Sequence, residues 1–231
     1  MQTALITGAS RGIGRRVAER LAEDGMRVLL AVRRPADAPR LPNSEIIELD
    51  VASPASIAAL VKLLLARHER LDVLINNAGV YQAPRRDIWD VNVRGPWLLT
   101  RGLAPLLAEG ARVVMVTSGL AQGAADAALR ERLAAVDVEG DGVGKLADDA
   151  PGDYGASKAA LNRMAQLFAD ELSPRGIKVN AISPGWARTE MGGPGAPRSV
   201  DQGAESVLWG VRLDAHGPSG GFFEDGRPLR G

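Results

Sequence analysis

The 231-residue chain has no cysteine, which excludes disulfides and thiolate metal sites. Histidine is nearly absent too. His68 and His216 stand far apart without a ligand spacing around either, so no metal site is expected. Nor is there a charge excess, with 28 basic against 28 acidic residues. That removes the bulk-charge argument for a nucleic-acid or membrane-surface partner. No run of eighteen apolar residues occurs, so a membrane-spanning helix is not expected. The N-terminus runs into the strand-like Thr3-Ala-Leu-Ile-Thr7 instead of a charged, cleavable leader, and a cytoplasmic location is the expectation.

What is present is alternation. With 45% hydrophobic residues, the length fits one α/β domain with a full core. Strand-like runs fall at 3–7, 27–32, 45–50, 71–76, 111–117 and 177–182, with a further strand expected at 221–224. Helical patterns lie between them. Ser53 before Pro54 supplies one helix with an N-cap and a first-turn proline. Other helices are expected over 89–107, with irregularities at Pro96 and Pro105, over 153–172 and near 201–210. Ala124 to Val138 has helical spacing, and 140–144 reads as a loop. No repeat or linker divides the chain. The expectation is one domain over 1–231, a Rossmann fold whose doubly wound parallel sheet has six to seven strands and helices on both faces. Such sheets bind ligands at the carboxyl ends of their strands.

At the first strand–helix junction stands Gly8-Ala-Ser-Arg-Gly12-Ile-Gly14. Glycines there permit positive φ and close backbone approach, and the free N–H groups of the following helix face a phosphate. A glycine cluster alone is an ordinary turn. At this junction of an alternating chain it points to a dinucleotide. The second strand ends Ala31-Val-Arg33-Arg34, with no carboxylate to take the ribose hydroxyls of NAD. Arginine pairs a 2′-phosphate instead, and Arg11 can reach the same group, so NADP(H) is expected over NAD(H); solvated arginines are the plain alternative.

Tyr154-Gly-Ala-Ser-Lys158 opens the helix expected over 153–172. Positions i and i+4 share a helix face, so phenol and ammonium can meet. Taken alone, the pair reads as a packed ring and a surface charge.

The chain resembles the short-chain dehydrogenase/reductase family over essentially its whole length. Thr7-Gly-Ala-Ser-Arg-Gly-Ile-Gly14, Asn76-Asn-Ala-Gly79, Asn92, Ser118, Tyr154-x-x-x-Lys158 and Pro184-Gly185 with Thr189 occur in the family's order. The resemblance implies catalytic roles for Asn92, Ser118, Tyr154 and Lys158: a relay support, a substrate-orienting hydroxyl, an acid/base and its partner. It implies cofactor contacts for Gly8, Ser10, Arg11, Gly12, Ile13, Gly14, Arg33, Asp50, Val51, Asn77, Ala78, Gly79, Tyr154, Lys158, Pro184, Gly185 and Thr189. Elementary chemistry agrees. A tyrosine near pKa 10 exchanges protons poorly at neutral pH, and a nearby ammonium is expected to lower that pKa. Thr117 is an alternative to Ser118, and Asn92 also suits a helix cap or packing role.

Two departures carry expectations. The segment 119–152 is longer than usual and looks like the insertion of the family's monomeric carbonyl reductases. It would cover a helix face that other members use for association, so a monomer is expected over a homodimer. The stretch between Gly79 and Asn92 is shortened. Tyr81, Leu120, Trp186 and Met191 are candidate pocket residues, with Trp186 equally suited to anchoring its loop. Loop 186–199, rich in Gly and Pro, is a candidate lid. The expected substrate is a small-molecule carbonyl (an apolar aldehyde, ketone or quinone) or the corresponding alcohol. An NAD-dependent alcohol dehydrogenase, a non-catalytic NADP(H) sensor and a scaffold are the competing functions.

Overall fold

Runs of Val, Ile, Leu and Ala with no polar alternation can only be strands covered on both faces. In the computed structural model, which describes residues 1–137 and 142–230, they form one sheet. Its strands are β1 (Thr3–Thr7), β2 (Arg27–Val32), β3 (Ser44–Glu48), β4 (Leu71–Asn76), β5 (Leu107–Val116), β6 (Lys178–Ser183), β7 (Phe222–Glu224) and β8 (Arg227–Pro228). Every residue of β1 is buried. The spatial order is β3-β2-β1-β4-β5-β6-β7-β8, parallel except for the β7–β8 pair. The chain reverses its direction of winding between β1 and β4. The crevice at their carboxyl ends is therefore where a ligand of such a sheet is expected.

The count of eight corrects the expected six to seven. The extra strand follows Asp225-Gly226, where both residues have positive φ (50° and 74°). That is the two-residue hairpin turn that Asp-Gly favours.

Eight helices cover the sheet among the described residues: α1 (Gly12–Glu23), α2 (Pro54–Ala66), α3 (Arg85–Trp89), α4 (Gly95–Leu103), α5 (Ala127–Ala134), α6 (Gly142–Asp149), α7 (Tyr154–Leu172) and α8 (Val200–Val211). α1 and α8 share one apolar layer; α2, α4 and α7 share the other. Ser53 caps α2 as expected, its side chain accepting from the Ser56 N–H.

The helix expected over 89–107 differs. It starts earlier, at Arg85, and passes through a π turn at Asp90–Arg94. Pro96 follows directly in the first turn of α4, and without an N–H it cannot bond back into the preceding turn, where the helix is irregular as expected. β5 already begins at Leu107. The expected loop at 140–144 is also corrected. Gly142-Val-Gly144 opens α6, because Val143, Leu146 and Ala147 recur at helical spacing and bury one face. Val138, Gly140 and Asp141 lie outside the described residues.

α5 and α6 close over α7. Leu129, Leu133, Val143 and Leu146 join the core that holds Ala160, Leu161 and Met164. Arg163 Nε donates to the Leu133 carbonyl at 3.2 Å. Only Gln166, Asp170 and Glu171 of α7 remain exposed. No described helix is long and apolar enough to cross a membrane, and no group of metal-ligating side chains occurs among the described residues.

Candidate active site

The glycine loop leaves β1 with Gly8 at φ 68° and Gly12 at φ 56°. Thr7 and Asn77 tie this loop to β4. The Thr7 hydroxyl accepts from the N–H groups of Asn77 and Ala78, both at 3.0 Å. The Asn77 amide donates back to the carbonyls of Thr7 (2.8 Å) and Gly8 (3.2 Å). This clasp leaves no room for side chains. A Cβ on Gly14 would stand 2.3 Å from the Asn77 amide and 2.5 Å from the Gly8 carbonyl. Arg11 takes the N-cap position of α1 without a side-chain cap bond, so the first-turn N–H groups are not claimed by it.

One cleft of about 660 Å³ gathers the expected cofactor residues. It is lined by the glycine loop, Arg33 and Arg34, Asp50 and Val51, Asn77 to Val80, Tyr154, Lys158, Pro184 and Thr189. Gly185 is the expected cofactor residue outside that lining. Its backbone, at φ 69°, turns the chain against the Arg198 side chain instead. β2 itself ends without an acid, and the first carboxylate after it to line the cleft is Asp37, in the turn that follows. Arg34 pairs with Asp37 at 2.7 Å, and no ion pair engages Arg33 among the described residues.

Asn92 is fully buried in the π turn and does not face the cleft. Its side chain exchanges two hydrogen bonds with the Val80 backbone, each 2.9 Å, and donates to Ser157 at 3.1 Å. Ser157 in turn donates to the Tyr154 carbonyl at 2.7 Å. Asn92 thus fixes the strand-end segment 78–80 to the first turn of α7. Ser157 is a member of this linkage that sequence reasoning passed over. A serine inside Tyr-x-x-x-Lys has no distinguishing spacing of its own.

Ser118 closes β5 and caps a short turn, accepting from the Leu120 N–H at 3.2 Å. Its hydroxyl lies near enough to the Tyr154 phenol to lower that group's pKa, though less than burial raises it. Asp153 caps α7, so the helix begins at Tyr154. Lys158 follows one turn later, with Nζ 5.5 Å from the centre of the Tyr154 ring. Thr117 is buried, with its hydroxyl donating to the Lys158 carbonyl at 3.4 Å, which separates its position from that of Ser118.

Electrostatics here run against one expectation. Burial pushes the Tyr154 phenol up to about 12, against a smaller lowering by Ser118, and Tyr81 adds to the rise. Burial also pushes the Lys158 ammonium down to about 8. The expected lowering of the phenol by Lys158 is not found. Lys158 is 3% exposed and donates a hydrogen bond to the Val116 carbonyl at 2.8 Å, so desolvation dominates for both groups.

Tyr81, Leu120, Trp186 and Met191 are all exposed, at 42–60%. Tyr81 meets Tyr154 edge to face at 5.0 Å. Of the four, Met191 lines the cleft itself. Trp186 also anchors its loop, donating from Nε1 to the Gly192 carbonyl at 2.8 Å.

Comparison with known proteins gives a consistent result. The short chain dehydrogenase family model matches residues 2–128, and the enoyl-(acyl carrier protein) reductase model matches residues 120–208. Oxidoreductase UcpA of Escherichia coli (strain K12) is 33% identical over 225 residues, covering 90% of this chain and 77% of UcpA. Carbonyl reductase (NADPH) 1 of Mus musculus is 30% identical over 266 residues, covering 96% of this chain and 95% of that protein. A short chain dehydrogenase from Burkholderia cenocepacia, solved in complex with NADP, superposes with a TM-score of 0.77 at 29% identity, covering 97% and 96% of the two chains.

Proposed function

The chain belongs to the short-chain dehydrogenase/reductase family, and from that premise we propose that it is an NADPH-dependent reductase of aldehyde, ketone or quinone carbonyls. The carrying observation is that Tyr154 and Lys158 line the cleft that begins with the glycine loop, with Ser118 beside the Tyr154 phenol. The residues fit NADP(H). The positive φ of Gly8 and Gly12 turns the loop into the uncapped first turn of α1, whose N–H groups suit a diphosphate, and Arg11 and Arg33 suit a 2′-phosphate. NADP accompanies the Burkholderia relative, and NADPH names the mouse one. When bound, the reduced cofactor supplies a hydride to the carbonyl carbon.

The chain's own residues handle the oxygen. Ser118 and Tyr154 present a hydroxyl pair to the carbonyl oxygen and align it. Tyr154 donates its proton as negative charge builds there. A phenol near 12 holds its proton at neutral pH, yet is far more acidic than an alcohol near water's value of about 16. Lys158 holds a positive charge beside the phenol ring and would hold the ribose of a bound cofactor. Asn92 and Ser157 position segment 78–80 and the start of α7. Exposed Tyr81, Leu120, Trp186 and Met191 suit an apolar carbonyl compound.

The test is NADPH oxidation followed against a panel of aldehydes, ketones and quinones, with NADH in parallel. Turnover with NADPH supports the reading. Saturable NADPH binding without turnover on any of them would move it to a sensor, and faster alcohol oxidation with NAD to a dehydrogenase.

A pH dependence follows from Lys158. Its pKa is lowered to about 8, so its charge is present below that pH and lost above it. NADPH affinity is expected to be level below pH 8 and to weaken above it. The Lys158→Met protein should bind more weakly below pH 8, approach the native protein above it and lack that pH step. Fluorescence titration from pH 6 to 10, with an identical step in both proteins, would rule Lys158 out as its source.

A further inference from the structure

One side chain in the cleft is used by nothing described so far. Glu190 lies in the 186–199 loop and forms an ion pair with Arg11 of the glycine loop. The pair joins residues 179 positions apart, across the mouth of the cleft that both line. The loop that delivers Glu190 is a built structure. Arg188 N–H donates to the Arg198 carbonyl at 2.9 Å, and Gly193 N–H to the Thr189 carbonyl at 2.8 Å. Thr189 itself packs on Gly12: a Cβ there would lie 3.3 Å from Thr189 Cγ2. The backbone therefore holds Glu190 beside Arg11.

Both side chains of the pair are 71% exposed, so it exchanges readily with other ions. A 2′-phosphate is the stronger partner, because it carries about two negative charges and accepts bidentate bonds from a guanidinium. Phosphate and carboxylate on one guanidinium repel each other at such range.

We propose that Glu190 is a specificity-determining residue: it occupies Arg11 as a resident anion, competes with the 2′-phosphate, and so limits the preference for NADPH over NADH. This rests on the NADPH reading above. NADH has no 2′-phosphate and leaves the pair intact, so its affinity is insensitive to Glu190. The neighbouring Arg34–Asp37 pair is local to one turn and spans nothing.

The experiment measures Kd for NADPH and NADH by fluorescence titration at low salt. It uses the native protein, Glu190→Gln, Arg11→Ala and the double variant. An exposed ion pair of this kind shifts Kd by about two- to five-fold. Glu190→Gln should tighten NADPH by that factor, leave NADH unchanged, and have no effect in the Arg11→Ala background. Equal tightening of both cofactors would overturn the proposal, because it would report general repulsion in the cleft. So would an effect that survives Arg11→Ala, or a native preference for NADPH that Glu190→Gln does not change. A native protein that binds both cofactors equally would instead overturn the NADPH reading, and the proposal with it.

Discussion

Tyr154→Phe is expected to lower kcat for carbonyl reduction by about 10²–10⁴-fold, the range for loss of a general acid. The substitution removes one oxygen and keeps the ring. The edge contact with Tyr81 at 5.0 Å is retained, as is the Ser157 hydrogen bond, which uses the Tyr154 backbone carbonyl. NADPH affinity should therefore change by no more than about twofold, since no charge-assisted contact is lost. The paired readout matters. Lost turnover with retained cofactor binding assigns the proton to the phenol, whereas loss of both would report a collapsed site. A Tyr154→Phe protein with near-native turnover would remove Tyr154 from the chemistry and leave Ser118 or a water as the proton source.

Gly14→Ala should damage stability and cofactor binding together. Inside a helix, alanine gains roughly 0.5–1 kcal/mol over glycine. Here the new methyl would stand 2.3 Å from the Asn77 amide and 2.5 Å from the Gly8 carbonyl. Neither neighbour can yield cheaply. The amide is held by the Thr7 and Gly8 carbonyls, and the other atom is backbone. Overpacking of this kind costs about 1–3 kcal/mol, which at this chain length lowers Tm by about 2–12 °C. Shifting Asn77 also displaces the glycine loop, so NADPH affinity should fall. Gly195→Ala is the control. Nothing lies within 4 Å of a Cβ there, and its change should stay within about 0.5 kcal/mol. Calorimetry of the two variants decides the matter: equal Tm values would mean that the clasp between the glycine loop and Asn77 is looser than described.

The amino-acid sequence determined the alternation, the strand positions and the chemistry of the cleft. Burial on both faces leaves a β-strand no choice but an apolar run, so 3–7, 27–32 and 71–76 were legible to the residue. The pairing of Tyr154 with Lys158 was legible because a helix returns to the same face after four residues. The cofactor loop was legible because only glycine fits its conformations.

What the sequence left open depended on contacts between distant segments. Helical spacing around Asn92 gave no sign of a π turn, which places Asn92 against Val80 and Ser157 instead of the cleft. Gly142 and Gly144 argued for a loop until Val143, Leu146 and Ala147 found a surface to bury against. Burial reversed the expected shift of Tyr154, and desolvation depends on the whole fold around a group. The meeting of Arg11 with Glu190 joins segments 179 positions apart, and no local pattern encodes it. Periodicity and conformational preference are properties of short segments; burial, packing and ion pairing belong to the tertiary structure that brings those segments together.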